Sequence, residues 1–103
     1  MKTIHTRTIG VYDDKLGEAM EISKGLAEVR KKHYPDHEVY FSFQIGGNPR
    51  TICRQRMVEM DKLGEDDQKV SADSRWKELE KQHKGVFVDG TMQDEMRYVF
   101  NTE

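Results

Sequence analysis

The sequence predicts an α+β domain of ferredoxin-like type, with element order βαββαβ, an antiparallel sheet and both helices on one of its faces. Three observations carry this: an apolar stripe at helical spacing from Leu16 to His33, two strand-like runs around the turn "GGNP", and a tryptophan-bearing helix followed by a closing alternating segment. At 103 residues the chain forms one domain, 1–103. Hydrophobic and charged residues each make up 35%, so the core is thin and a partner subunit is the expected way to complete it.

The segment from Lys2 to Tyr12 mixes β-branched residues with His5 and Arg7 and ends at "DD", a strand running into a helix cap. From Asp14, the positions Leu16, Ala19, Ile22, Leu26, Val29 and His33 recur at steps of three and four and line one helix face. Gly17 and Gly25 weaken this helix, and their placement suits close approach to the sheet. It stops at "YPDH", because Tyr34 before Pro35 is pushed out of the helical region.

"EVYFSFQI" alternates, with Val39, Phe41, Phe43 and Ile45 on the core face and Tyr40, Ser42 and Gln44 on the polar one. "RTICRQRMVEM" is its hairpin partner across "GGNP", and Ile52, Arg54, Arg56 and Val58 share a face there. Met60, Leu63 and Val70 suggest a short acidic helix through "MDKLGEDDQKV", interrupted by Gly64. Asp73 or Ser71 caps the next helix, "SRWKELEKQHK", whose Trp76, Leu79 and His83 share a face and which Gly85 ends. Met96, Tyr98 and Phe100 alternate with Arg97 and Val99 in the closing strand.

Charge and composition exclude several function classes. Net charge is −2 with scattered basic residues, so no nucleic-acid partner is expected. Cys53 is the single cysteine, which rules out an intrachain disulfide framework and fits a reducing compartment. "MKTIHTRTIG" lacks the apolar stretch of a signal peptide, and no run approaches the ~20 apolar residues of a membrane span, so the expectation is a cytoplasmic protein with no membrane partner.

"HTRTIGVYDDKLGEAME" and "EMDKLGEDDQKVSADSRWKELEK" together resemble the dimeric α+β barrel superfamily, and within it the NIPSNAP-like proteins. The first stretch is similar to that family's opening strand, with an Arg-Thr pair running into a helix. The second is similar to its acidic helix followed by a helix bearing tryptophan. The resemblance implies a homodimer in which two sheets close into a barrel, with a cavity for small organic molecules. The superfamily includes cofactor-free monooxygenases, haem-degrading enzymes, lactone isomerases and purely regulatory dimers, so it does not select one chemistry.

Arg54 and Arg56, with Arg7, either converge on a carboxylate, phosphate or enolate-like ligand or pair with acidic side chains across a dimer. His5 and His83 are the proton-transfer candidates, His83 being equally a residue at the carboxyl end of a helix dipole. Tyr40 and Gln44 lie on a polar strand face that meets a ligand or the partner sheet. Trp76 and Tyr98 line an aromatic pocket or fill the core. "HYPDH" lacks a third fixed ligand and reads as an exposed loop, so no metal is expected; no cofactor is assigned, with haem bound through His83 as the alternative. The resulting expectation is a homodimer that binds a small anionic or polar-aromatic organic molecule and, if an enzyme, is a cofactor-independent oxygenase or isomerase; the alternative is a non-catalytic structural or regulatory dimerisation module.

Overall fold

Alternation along the central strands decides which face of the sheet becomes the core. In the computed structural model, which describes residues 1–62 and 68–101, β1 (Lys2–Val11), α1 (Leu16–His33), β2 (Glu38–Phe43), β3 (Arg50–Glu59), α2 (Ser74–Lys81) and β4 (Gln93–Tyr98) follow in that order. The strands pair antiparallel in the order β2-β3-β1-β4, the ferredoxin-like arrangement that βαββαβ predicts.

Both central strands are β1 and β3, so their inward residues are the most enclosed. Ile52 and Val58 on β3 and Val11 on β1 are buried, and Ile52 and Val11 meet Ala19, Ile22, Leu26 and Val29 of α1 and Leu79 of α2. The loop after α2 contributes Val86 and Phe87 to the same core, tied to β1 by a bridge between Val11 and Phe87. β4 is exposed along its whole length, because the eight-residue α2 does not cover it. Among the described residues no helix is long and apolar enough to cross a membrane.

Several local features differ from the sequence expectation. Asp13 and Asp14 form a 3-10 turn rather than a cap, leaving Lys15 at the N-cap position of α1 without a side-chain bond. β2 stops at Phe43, and Ile45 is 92% exposed in the turn where a core position was expected. Phe100, expected in the closing strand, lies beyond β4 and is exposed. Gly25 faces α2 and not the sheet: a Cβ there would come within 2.9 Å of the Leu79 side chain, while one at Gly17 would meet nothing. The acidic helix expected through Leu63 and Gly64 falls partly on residues 63–67, outside the described residues. Residues 68–71 are helical, and Val70 joins the core.

Asp73 caps α2 as expected, accepting from the Arg75 backbone N–H at 2.9 Å through Oδ1. Its other oxygen receives Lys32 at 3.1 Å and lies 2.8 Å from His33 Nε2, at the end of α1. These bonds, that of His33 foremost, hold the Asp73 carboxyl well below the usual carboxylate range. One side chain therefore starts α2 and ties it to α1. Asp73→Ala is expected to lower the thermal midpoint by several degrees and Asp73→Asn, which keeps a capping acceptor, by less; circular dichroism melts of the three proteins check the order.

Candidate functional site

The register places charged side chains on the helix-facing side of the sheet. Phe41, Arg54, Arg7 and Asp94 stand abreast across the four strands, and Val39, Arg56, His5 and Met96 form the neighbouring row. Residues directly opposite share a face, so both rows lie under the helices with Ile52 and Ile9. Arg54 is 6% exposed, and Arg56 and His5 are also buried. Arg30 of α1 is buried above them, with its guanidinium carbon 5.1 Å from the centre of the Trp76 ring on α2, a cation–π contact.

One carboxylate on β4 answers this positive group. Asp94 receives Arg7 in a two-pronged ion pair, Nε at 2.7 Å and Nη2 at 2.9 Å, and its Oδ1 lies 3.6 Å from His5 Nε2. The Arg7 bond keeps the Asp94 carboxyl below its ordinary range. Arg56 Nε donates to His5 Nδ1 at 3.1 Å, which requires a lone pair on Nδ1 and places the proton of the neutral ring on Nε2, toward Asp94. Burial lowers the His5 pKa, as do Arg56 and Arg54, while Asp94 opposes them.

Arg54 bears a heavy electrostatic burden. Burial first, then Arg30, Arg7 and Arg56, pushes its guanidinium down to about 9, against the pull of Asp94. Its Nε makes no hydrogen bond among the described residues. A guanidinium is charged at neutral pH, so this displacement expresses an unmet demand for negative charge.

The remaining candidates fall elsewhere. Tyr40 projects from the opposite sheet face, beside Gln55, and is exposed. Gln44 sits in the turn after β2, where its side-chain oxygen accepts from Thr51. Neither joins the arginines. Tyr98 is abreast of Thr3 on exposed β4, and Trp76 packs on the core while stacking with Arg30. His83 lies just beyond α2, its ring 4.7 Å from Phe87 and its Nε2 buried without a hydrogen bond among the described residues. Burial lowers its pKa, with Glu80 opposing. It lines a separate opening with Ile9, four residues along β1 from His5 or about 13 Å of strand. His37 stacks on Tyr34 in the loop after α1, at 4.9 Å between ring centres.

Sequence reasoning missed Arg30 and Asp94. Arg30 follows Leu26 by four residues and adjoins Val29, so the helical stripe does reach it, and Asp94 alternates with Met96.

The depressed His5 pKa fixes the sign of a pH effect. Near and below its ordinary 6.5 the unfolded chain binds more protons at this position than the folded one, so the His5 contribution to stability declines as pH falls below 6.5. Asp94→Asn removes the group among the described residues that raises this pKa; a ring-proton NMR titration is expected to show His5 titrating at lower pH in the variant, and an unchanged or higher value would contradict the assigned electrostatics.

No protein-family model matches the chain, and no curated protein matches it. Its fold matches several solved structures. A NIPSNAP family protein from Agrobacterium tumefaciens superposes with a TM-score of 0.79 at 10% identity, covering 99% of this chain and 96% of that one. A second from the same organism, of unknown function, gives 0.75 at 14% identity over 93% and 86% of the two chains. A NIPSNAP domain protein from Burkholderia xenovorans gives 0.76 at 11% identity over 97% and 96%. At such identities the likeness is one of fold: the chain has the ferredoxin-like α+β fold that NIPSNAP family proteins share, over nearly its whole length.

Proposed function

We propose that the protein is a homodimer that binds a small organic anion between sheet and helices, with Arg54 as the principal anchor and Arg7 and Arg56 beside it. The observation that carries the reading is the buried Arg54 guanidinium, whose Nε bonds no described residue. A carboxylate, phosphate or enolate oxygen placed there offsets a desolvated charge that, among the described residues, Asp94 answers from two strands away. The reaction class that suits this donor set is cofactor-independent oxygenation or isomerisation. Charge developing on an enolate would lie against Arg54, and His5 holds a transferable proton on Nε2.

The open sheet face supports the dimer. Tyr40, Gln55, Thr6 and Glu95 form one row there and Glu38, Met57, Ile4 and Arg97 another, so apolar, hydrogen-bonding and oppositely charged groups are interleaved. A second copy related by a two-fold axis can cover such a surface with itself. This face also favours a second reading, a dimerisation module without a ligand.

Arg54→Met separates the readings, since Arg54 lies on the other side of the sheet from the proposed interface. Native mass spectrometry of protein purified gently from cells is expected to show a dimer carrying a reproducible extra mass, and the variant dimer without it. Against any anion so identified, the variant is expected to lose on the order of 10- to 100-fold in affinity, the worth of a hydrogen bond to a charged group. A bare dimer for both proteins, with no anion binding by calorimetry, overturns the ligand reading in favour of the module. A monomer overturns the dimer.

A further inference from the structure

The anion site has an apolar neighbour on the same sheet face. A cavity of about 180 Å³ lies between the middle of α1 and the β2–β3 hairpin, lined by Met20, Ser23, Lys24, Phe41, Phe43 and Ile52 among others. Its polar atoms are few and largely engaged: Ser23 Oγ donates to the Ala19 carbonyl at 2.8 Å, and the exposed Lys24 ammonium lies 3.5 Å from Glu21. What remains is side-chain hydrocarbon and two aromatic rings. An apolar cavity of about 150 Å³ is enough to hold one benzene ring, so this one accommodates a single ring or an equally compact branched chain.

Register sets the cavity beside Arg54. Phe41, in its wall, stands directly opposite Arg54, and Ile52, also in its wall, precedes Arg54 by two residues on the same face, about 7 Å along the strand. Arg54 itself lies outside the cavity's lining, so a ring seated against Ile52 and Phe43 needs a spacer of one or two carbons to carry a carboxylate toward the guanidinium. We infer that the ligand class of this site is a compact amphipathic acid, an arylalkanoate or branched alkanoate, whose apolar part occupies the Met20–Phe41–Phe43–Ile52 cavity and whose carboxylate pairs with Arg54. The inference rests on the anion reading above and adds the apolar half that a bare anion site lacks. Inorganic phosphate and acetate, which satisfy Arg54 alone, are weak ligands of such a site.

The test uses the full chain and three probes: phenylacetate, acetate and 2-phenylethanol, titrated by calorimetry with amide NMR shifts locating each. Phenylacetate is expected to bind at least about tenfold more tightly than either of the others, since burial of a ring adds to the charge pair. Phe43→Ala, at the exposed rim of the cavity, is expected to weaken phenylacetate several-fold and leave acetate unchanged. Acetate and phenylacetate binding equally, with Phe43→Ala silent, overturns the apolar half and leaves the anion site standing. 2-Phenylethanol binding as tightly as phenylacetate overturns the pairing with Arg54. Binding of none of the three overturns the inference, while the anion reading is judged separately by the mass comparison of Arg54→Met.

Discussion

A sheet that carries arginines on its enclosed side must supply negative charge or leave desolvated cations, and this constraint organises the molecule. Arg54 and Arg56 occupy positions on β3 flanked by Ile52 and Val58, where the strand pattern calls for core. Their backbone obeys the alternation of a half-buried strand. Their charge does not suit the place it puts them in. The structure responds with Asp94 from the edge strand β4, with a neutral His5 that accepts from Arg56, and with the face of Trp76 turned to Arg30. Arg54 remains a buried, desolvated cation whose Nε bonds no described residue.

The rows across the sheet give that demand a direction. Moving from β2 to β4 through the row that contains Arg54, the side chains pass from aromatic to cationic to anionic: Phe41, Arg54, Arg7, Asp94. Polarity therefore rises toward the exposed edge strand and falls toward the hairpin. A molecule with one charged and one apolar end finds both ends matched in one orientation and neither in the reverse. The same row explains why His83, although half-buried and titratable, stands apart: its neighbours are Phe87 and Ile9, at the other end of the strand.

The fold was legible because its information is local. The helical stripe from Leu16, the cap at Asp73 and the alternation around "GGNP" each depend on residues within a few positions of one another. That Arg54 and Arg56 share a face with Ile52 was also legible, from the period of two. Which residues they meet was not, because partners such as Asp94 come from pairings between strands far apart in sequence, and register is written in no single segment. The same reason separates Tyr40 from the arginines. Both lie in plausible strands, but only pairing shows Tyr40 abreast of Gln55, whose side chain points the other way. Arg30 was overlooked for a different cause: a basic residue in the last turn of a helix has a ready explanation in the helix dipole.

The tie at Asp73 bears on how a molecule reaches the arginines at all. The carboxylate holds the first turn of α2 against Lys32 and His33 of α1, and Arg30 on Trp76 repeats the link three residues earlier. Gly25 lets the two helices close further, down to contact with Leu79. Joined at these points and by the Arg75–Glu28 ion pair at 3.3 Å, the two helices form one slab, and parting them would mean breaking a cap, a stacked cation, an ion pair and a tight apolar contact together. For the ligand proposed above, the approaches would then lie along the slab's margins, among them the Phe43 rim and the uncovered β4 strand. The bulk and polarity of those margins, more than any motion between the helices, would then set which molecules the proposed site admits.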